Sequence, residues 1–474
     1  MKRGAVIIGG GISGLMAAHG LIRAGLEVTV LERESVPGGT MRTVHDDGWL
    51  VEAGPNSALE TTPLFARAFD ELGIAEERLY ADPAADRRYI LREGRLHALP
   101  LSPGAFLGSS LWSTKAKLRL LKEPFIGRAD HEETIAQFVE RRLGREFLDY
   151  AINPFVAGVY AGDPTQLSVR AAFPKLYALE ERYGGLVRGM IGGAKERRKR
   201  QEKAKDRAKM FSFRDGMETL PRALARAIGP ALHLGCEVTS VGRPAAEGNG
   251  TGFEVQFMQE GSARTLGSAC VVVATPAYVA GSLVRSLSSR VADLLDGIYY
   301  PPVAEVFLGF RKEEISLPLD GFGFLVPEVE RRLILGTIWS SCLFPGRAPS
   351  DHVALTSFVG GSRQSELAAL PDGKLIELVV SELRSIMGIG RDPVYTKIMR
   401  WGKAIPQYNL GYLSLMEEIA RAEDANPGLY FCANFRGGIA VGDCLMSAEK
   451  IAGRIAGRLS TAPDPSTTLS KVQP

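Results

Sequence analysis

The sequence predicts an α/β fold built around a parallel, dinucleotide-binding sheet whose segments are scattered along the chain. Three observations predict it. A strand-like run, Ala5-Val-Ile-Ile8, enters Gly9-x-Gly11-x-x-Gly14 and a helix-like run to Ala24; a second strand-like run, Leu26 to Leu31, then ends on Glu32. Directly after that acid comes Pro37-Gly-Gly-Thr-Met-Arg-Thr43. Near the other end of the chain, Gly428-Leu-Tyr-Phe-Cys-Ala-Asn434 reads as a strand, followed by a glycine-rich turn to Asp443 and a helix to about Leu459.

Each element has a physical reason. Gly9 permits the tight turn after the first strand, Gly11 lets backbone approach a pyrophosphate, and Gly14 lets helix and strand pack closely. The helix N-terminus presents free N–H groups to phosphate charge, and Glu32 is placed to accept ribose hydroxyls. NAD and FAD share that fingerprint. Gly38-Gly39-Thr40-Met41-Arg42-Thr43 distinguishes them, because it resembles the Gly-Gly-x-x-Arg-[Ser/Thr] element of the glutathione-reductase-like FAD fold. In that fold the arginine supplies charge near the diphosphate, so FAD is the expected cofactor.

The middle of the chain supplies the rest of a discontinuous domain. From about Met210, strand-like runs Gly235 to Val241, Phe253 to Phe257 and Ala269 to Pro276 return to the sheet, the first two joined by a hairpin loop at Glu247 to Gly252. We assign residues 1–57, 210–294 and 401–459 to the FAD-binding domain. Residues 58–90 and 295–400, strand-rich at Ala304 to Phe310 and Ala354 to Val359, form a mixed-sheet substrate domain. Residues 91–209 form a helical insertion, and 460–474 a disordered tail rich in Pro, Ser and Thr. The run Lys195 to Lys209 holds nine basic and three acidic residues. It reads as a solvated helix face or as a contact for anionic lipid.

Bulk properties exclude several classes. The 474 residues are 45% apolar and 23% charged, with net charge +3, so nothing points to nucleic acid. Five scattered cysteines without CxxC argue against a disulfide framework or a zinc site, and the six histidines show no ligand spacing. No apolar run reaches the roughly 18 residues of a membrane span. The first apolar run is already the cofactor strand, so a cytoplasmic protein is expected, either free or peripheral on the inner face of the cell membrane.

Across these segments the chain resembles the FAD-dependent porphyrinogen oxidases, the protoporphyrinogen oxidase family of the amine-oxidase-like flavoproteins. The resemblance runs from the first strand to about residue 458. It rests on Gly54-Pro-Asn-Ser57, Arg88-Tyr89, Tyr160-Ala-Gly-Asp-Pro-Thr-Gln-Leu-Ser168 and Phe213-Arg-Asp-Gly-Met217, and further on Gly321 to Pro327, Phe358-Val-Gly-Gly-Ser362 and Ile405-Pro-Gln-Tyr-Asn-Leu-Gly411. It implies that Gly9, Gly10, Gly11, Ile12, Ser13 and Gly14, with Glu32, Arg33, Thr40 and Arg42, hold the ADP portion of a non-covalent FAD. It implies that Val238 contacts adenine through its backbone. Gly54, Pro55, Asn56, Ser57, Trp401, Asn434, Ile439, Ala440 and Val441 would lie along the flavin and diphosphate. Arg88 would pair with a substrate propionate, Leu325 and Ile338 would clamp the macrocycle, Phe358 would stack on it, and Gly158 would lie close to it.

The implied reaction is the six-electron oxidation of protoporphyrinogen IX to protoporphyrin IX in heme biosynthesis, in three flavin cycles with dioxygen as acceptor. The cofactor carries that chemistry, so no catalytic nucleophile, triad or metal is expected. Coproporphyrinogen III, with four propionates instead of two, is the rival substrate. A flavin amine oxidase or desaturase and a non-enzymatic binder with this fold are more distant rivals. The expected partners are the tetrapyrrole, dioxygen, an anionic membrane surface and a second copy of the chain.

Overall fold

The structure is a computed structural model that describes residues 4–190, 192, 208–244 and 252–461. All of the Glu247 to Gly252 loop except Gly252, most of the Lys195 to Lys209 run and nearly all of the expected tail lie outside the described residues.

Five parallel strands form the first sheet, in the spatial order Leu232–His233, Glu27–Leu31, Gly4–Ile8, Cys270–Val273 and Leu429–Phe431. Three distant stretches of chain therefore meet in one sheet. Its strands are apolar on both faces, as a buried parallel sheet requires. Ala5 and Ile7 point toward the helices Ile12–Arg23, Thr219–Ile228 and Val441–Thr461. Val6 and Ile8 point the other way, against the antiparallel strands Cys236–Gly242, Phe253–Gln259 and Ser262–Ser268. Phe253, Val255 and Phe257 alternate inward to meet them.

A seven-stranded mixed sheet forms the second layer. Its order is Tyr395–Trp401, Val303–Arg311, His352–Gly360, Gly336–Ile338, Gly321–Leu325, Arg87–Arg92 and Arg95–Ala98. The pair Gly321–Leu325 with Arg87–Arg92 is parallel and the rest are antiparallel. Helix Asp372–Met387 covers one face through Leu375, Val379 and Leu383, which pack on Val306, Leu308 and Phe310. The opposite face is left for the rest of the molecule.

Two stretches sit differently from the expected division of the chain. The hairpin Arg87–Arg92 and Arg95–Ala98 completes the mixed sheet, so the sheet continues past residue 90 to Ala98. Ala58–Leu59, Arg78–Tyr80 and Met210–Phe213 form a small sheet, and helix Leu64–Leu72 brings Phe65 and Phe69 onto Phe211 and Phe213 with ring centroids 5.0–5.8 Å apart. These rings belong to the core of the parallel-sheet half, because that is where four large aromatic side chains find a dry surface.

The helical insertion is held by buried charge. Arg142, fully buried, bridges Glu123 and Glu180, while Arg141 joins Glu133 and Glu180.

Candidate functional site

The first strand, Gly4–Ile8, runs at its C-terminal end into the Gly9 to Gly14 turn, at the sheet end where open α/β sheets usually hold their ligands. Gly9 has φ +106°, and a Cβ there would lie 3.0 Å from the Ala274 carbonyl oxygen. At Gly14 a Cβ would stand 2.0 Å from the Gly9 oxygen, so only glycine lets the helix start this close to the strand. Gly11 is the opposite case. A Cβ there would find only Gly39 Cα, at 4.0 Å, so it faces open space. Helix Ile12–Arg23 begins beside it with no side-chain cap, leaving its first N–H groups directed at that space.

Around this cradle stand the other expected cofactor residues. Glu32 is buried at the end of its strand; one carboxylate oxygen accepts the Gly10 N–H and the other accepts the Glu34 N–H at 2.8 Å. Arg42 donates to the Gly39 carbonyl at 3.1 Å and receives the Ala53 N–H on its own carbonyl. Thr40 and Gly54 are in backbone contact, a Cβ on Gly54 falling 2.1 Å from the Thr40 oxygen. Trp401 ends its strand by donating to the Ala53 carbonyl at 2.6 Å, which ties the mixed sheet to the Gly54-Pro55-Asn56-Ser57 loop. Val238 sits at a bulge in a strand whose first residue, Cys236, donates its N–H to the Glu32 carbonyl. Asn434 lies in the turn after the last parallel strand, where its carbonyl accepts the Tyr408 hydroxyl; Ile439 and Ala440 lead into the helix that begins at Val441. Arg33 is spent differently. It is exposed and paired with Glu34 at 2.9 Å.

The expected substrate residues share the uncovered face of the mixed sheet. Register places Arg88, Gly323, Ile338 and Thr356 in one cross-strand row, and Ile90, Leu325, Gly336, Phe358 and Glu305 in the next. Arg88, Leu325, Ile338 and Phe358 therefore point to the same side. Helix Asn153–Tyr160 of the insertion lies across them: a Cβ on Gly158 would stand 2.5 Å from Leu325 Cδ2, and Phe358 packs on Ala157 and Ala161. Arg88 lies over the Phe322 ring at 5.8 Å, and its guanidinium has no hydrogen bond or ion pair among the described residues. Its neighbour Arg87 is occupied by Asp320.

Comparison with known proteins agrees with this geometry. Residues 12–456 match the family described as flavin containing amine oxidoreductase. The chain belongs to that family. Chloroplastic protoporphyrinogen oxidase of Oryza sativa subsp. japonica is 34% identical over 96% of this chain and 88% of that protein. Coproporphyrinogen III oxidase of Bacillus subtilis (strain 168) is 27% identical over 94% of this chain and 96% of its own length. In fold, a crystal structure from Exiguobacterium sp. 255-15, provisionally assigned as a protoporphyrinogen oxidase, superposes with a TM-score of 0.79 at 23% identity, covering 96% of this chain and 98% of that one. Membership makes the protein an FAD-dependent oxidoreductase. The residues present fit that cofactor: open space over Gly11, an uncapped helix start, and an acid at the end of the second strand.

Within this family fold, two buried acids stand out that the sequence reading did not single out. Glu52 accepts the Thr43 hydroxyl at 2.7 Å and the Met217 N–H at 2.9 Å, with the Arg347 guanidinium 4.0 Å away. Burial raises it to about 7 despite these partners, with the Glu218 carboxyl adding to the rise. Glu305 is buried on the strand Val303–Arg311; burial and then the nearby Glu52 push it well above the usual carboxylate range, opposed by the Asn56 amide. The available signal was an acid inside the apolar run Ala304-Glu-Val-Phe-Leu-Gly-Phe310. Tyr408 was legible only as part of a motif; its hydroxyl reaches Asn434, and its ring stacks on Tyr412 at 4.3 Å.

Proposed function

We propose that this protein oxidises protoporphyrinogen IX to protoporphyrin IX, in three two-electron steps with dioxygen as the final acceptor. Arg88 carries the reading. The face between Phe358 and the Arg87–Arg92 strand is largely apolar, and Arg88 on it has no carboxylate partner among the described residues. The nearby guanidinium of Arg363 is half-buried and committed to the Val326 carbonyl and the Asn153 side chain. Arg347 is committed to Ser212 and the Phe213 carbonyl. One available charge at the edge of an apolar slot suits a tetrapyrrole with two propionates better than one with four. Relatives named for protoporphyrinogen oxidation, at 32–34% identity, support the same choice.

In this reading Gly9 to Gly14 and the start of the first helix hold the diphosphate, Glu32 takes the ribose, and Thr40, Arg42 and the Gly54 to Ser57 loop line the path to the flavin. The parallel sheet, its antiparallel partner and its helices form a glutathione-reductase-like domain. Trp401, Asn434 and Ile439 to Val441 close over the isoalloxazine. When bound, the flavin supplies the electron acceptor for each dehydrogenation. The protein orients the ring: Leu325 and Ile338 clamp it, Phe358 stacks on it, Gly158 leaves room beside it, and Arg88 fixes its propionate edge.

We further infer contact with a membrane surface. None of the described helices is long and apolar enough to cross a membrane. The insertion nevertheless exposes Leu101, Leu107, Leu118, Leu121 and Phe125, the last 85% accessible, beside exposed Lys115 and Lys122. Apolar side chains flanked by lysines suit peripheral contact with an anionic bilayer, where a poorly soluble porphyrin is handed on.

The deciding experiment is a side-by-side assay of both porphyrinogens by product fluorescence. Faster turnover of protoporphyrinogen at low concentration is expected. A preference for coproporphyrinogen III would assign the protein to that reaction instead.

A further inference from the structure

One polar group on the substrate-side sheet face is left without a role by the reading above. Glu305 lies directly across from Phe358 on one side and Met399 on the other, so its side chain shares a face with Arg88, Leu325, Ile338 and Trp401. The Gly54 to Ser57 loop lies over this face, tied down by the Trp401 indole on the Ala53 carbonyl. From that loop the Asn56 amide reaches the Glu305 carboxyl group. The other feature is a vacancy in its hydrogen bonding: Glu305 Oε2 is buried with no partner among the described residues. Buried carboxyl oxygens rarely go unpaired, and the ones that do call for a ligand.

We propose that Glu305 is a cofactor-facing residue, held by Asn56 on one side and presenting its free oxygen to the compartment between flavin and porphyrinogen, where it couples a proton to flavin reduction. The inference rests on FAD as cofactor and is independent of which porphyrinogen is the substrate.

The charges around it define the coupling. Glu52, from the hairpin strand Trp49–Glu52, is the ionisable group whose charge acts on it; Glu52 is in turn faced by Arg347 and Glu218. With Glu218 paired to Arg222 at 3.0 Å, the remaining acids Glu52 and Glu305 and the buried Arg347 are together neutral when one of the two carries a proton. Glu52 has two hydrogen-bond donors, the Thr43 hydroxyl and the Met217 N–H, and a guanidinium 4.0 Å away to stabilise its carboxylate, whereas Glu305 has one amide. The proton therefore resides on Glu305. Reduced flavin carries an added negative charge, which holds that proton more tightly; by linkage, the proton favours reduction. Where Glu305 is ionised in the oxidised enzyme, taking up two electrons brings in one proton for the flavin and a second that converts the Glu305 carboxylate to the acid.

The test reads the bound flavin of the holoenzyme without substrate. A two-electron couple that takes up one proton shifts by about 30 mV per pH unit, and one that takes up two shifts by about 60 mV. The native enzyme should show a segment of the steeper slope between neutral and alkaline pH, and Glu305→Gln a single slope of about 30 mV throughout. The reduced-minus-oxidised infrared difference should contain a carboxylic acid carbonyl band that disappears in Glu305→Gln. Asn56→Ala should move the steep segment to higher pH, since the amide favours the ionised form. Identical slopes and identical infrared differences in native and Glu305→Gln enzyme would overturn the proposal. Loss of flavin itself in the native protein would instead indict the cofactor assignment.

Discussion

At Gly11 and Gly14 the same substitution should fail in two different ways. Gly11 faces open space, so Gly11→Val should fold and yet purify colourless, because the side chain fills the phosphate cradle. Gly14→Val would meet the Gly9 carbonyl and should lose the folded protein altogether, as a thermal melt would show. Arg88 belongs to this scale as well. Its unpaired guanidinium predicts that Arg88→Ala keeps the flavin spectrum while kcat/KM for protoporphyrinogen falls about ten- to a hundred-fold, the equivalent of about 1.5–3 kcal/mol for a charged hydrogen bond. Arg88→Lys should recover part of this, since a point charge lacks the bidentate fork. Unchanged kinetics in Arg88→Ala would remove the residue on which the substrate choice stands.

Among the elements, the hairpin strand Trp49–Glu52 carries a charge whose cost is set by its surroundings. Glu52 is buried and titrates near 7 in the folded protein, above an ordinary carboxylate. The folded state therefore holds a proton that the unfolded chain releases from about pH 4.5 upward. Stability contributed by this group is full below that point and falls as pH rises to about 7, by up to about 3 kcal/mol. Glu52→Gln should flatten that fall in pH-dependent melting while keeping an acceptor for the Met217 N–H, its amide NH2 donating to the Thr43 hydroxyl. A second element-level prediction concerns the helical insertion. Arg142 is fully buried between Glu123 and Glu180, so Arg142→Ala leaves the buried Glu123 without its cation, while Glu180 keeps Arg141, and should cost on the order of 3–5 kcal/mol. Limited proteolysis should then cut first within residues 103–183. The secondary structure here was largely legible: the first βαβ unit, Val303–Arg311, His352–Gly360 and Asp372–Met387 all follow from periodicity. What periodicity could not show is that Arg87–Ala98 joins the mixed sheet while Leu64–Leu72 turns back to the parallel-sheet core. Pairing partners and the aromatic cluster of Phe65, Phe69, Phe211 and Phe213 make that decision.

For the whole molecule, the exposed apolar side chains of the insertion predict salt-sensitive binding to vesicles containing anionic lipid. Leu121→Ser with Phe125→Ser should reduce co-sedimentation several-fold without changing turnover in detergent. Equal co-sedimentation of native and variant protein would place the contact elsewhere. The exposed side chains on which this prediction rests lie at residues 101–125, and periodicity did not mark them, because exposure of a leucine is a property of packing and not of composition.

By itself the sequence determined the cofactor half of this protein. Glycines at fixed spacing, a strand on each side and a terminal acid are local features, and local backbone geometry alone gives Gly9, Gly11 and Gly14 their separate tasks. The motifs also pointed to Arg88, Leu325, Ile338 and Phe358, though as separate guesses. Only the tertiary structure decided that they share one face, because a strand's facing depends on the register of neighbours that lie far away in sequence. The same register turned Glu305 from one polar letter in an apolar run into a buried acid beside Phe358. Its neighbours, Glu52 at the end of a hairpin strand and Asn56 on the loop that Trp401 holds against the sheet, lie some 250 residues upstream.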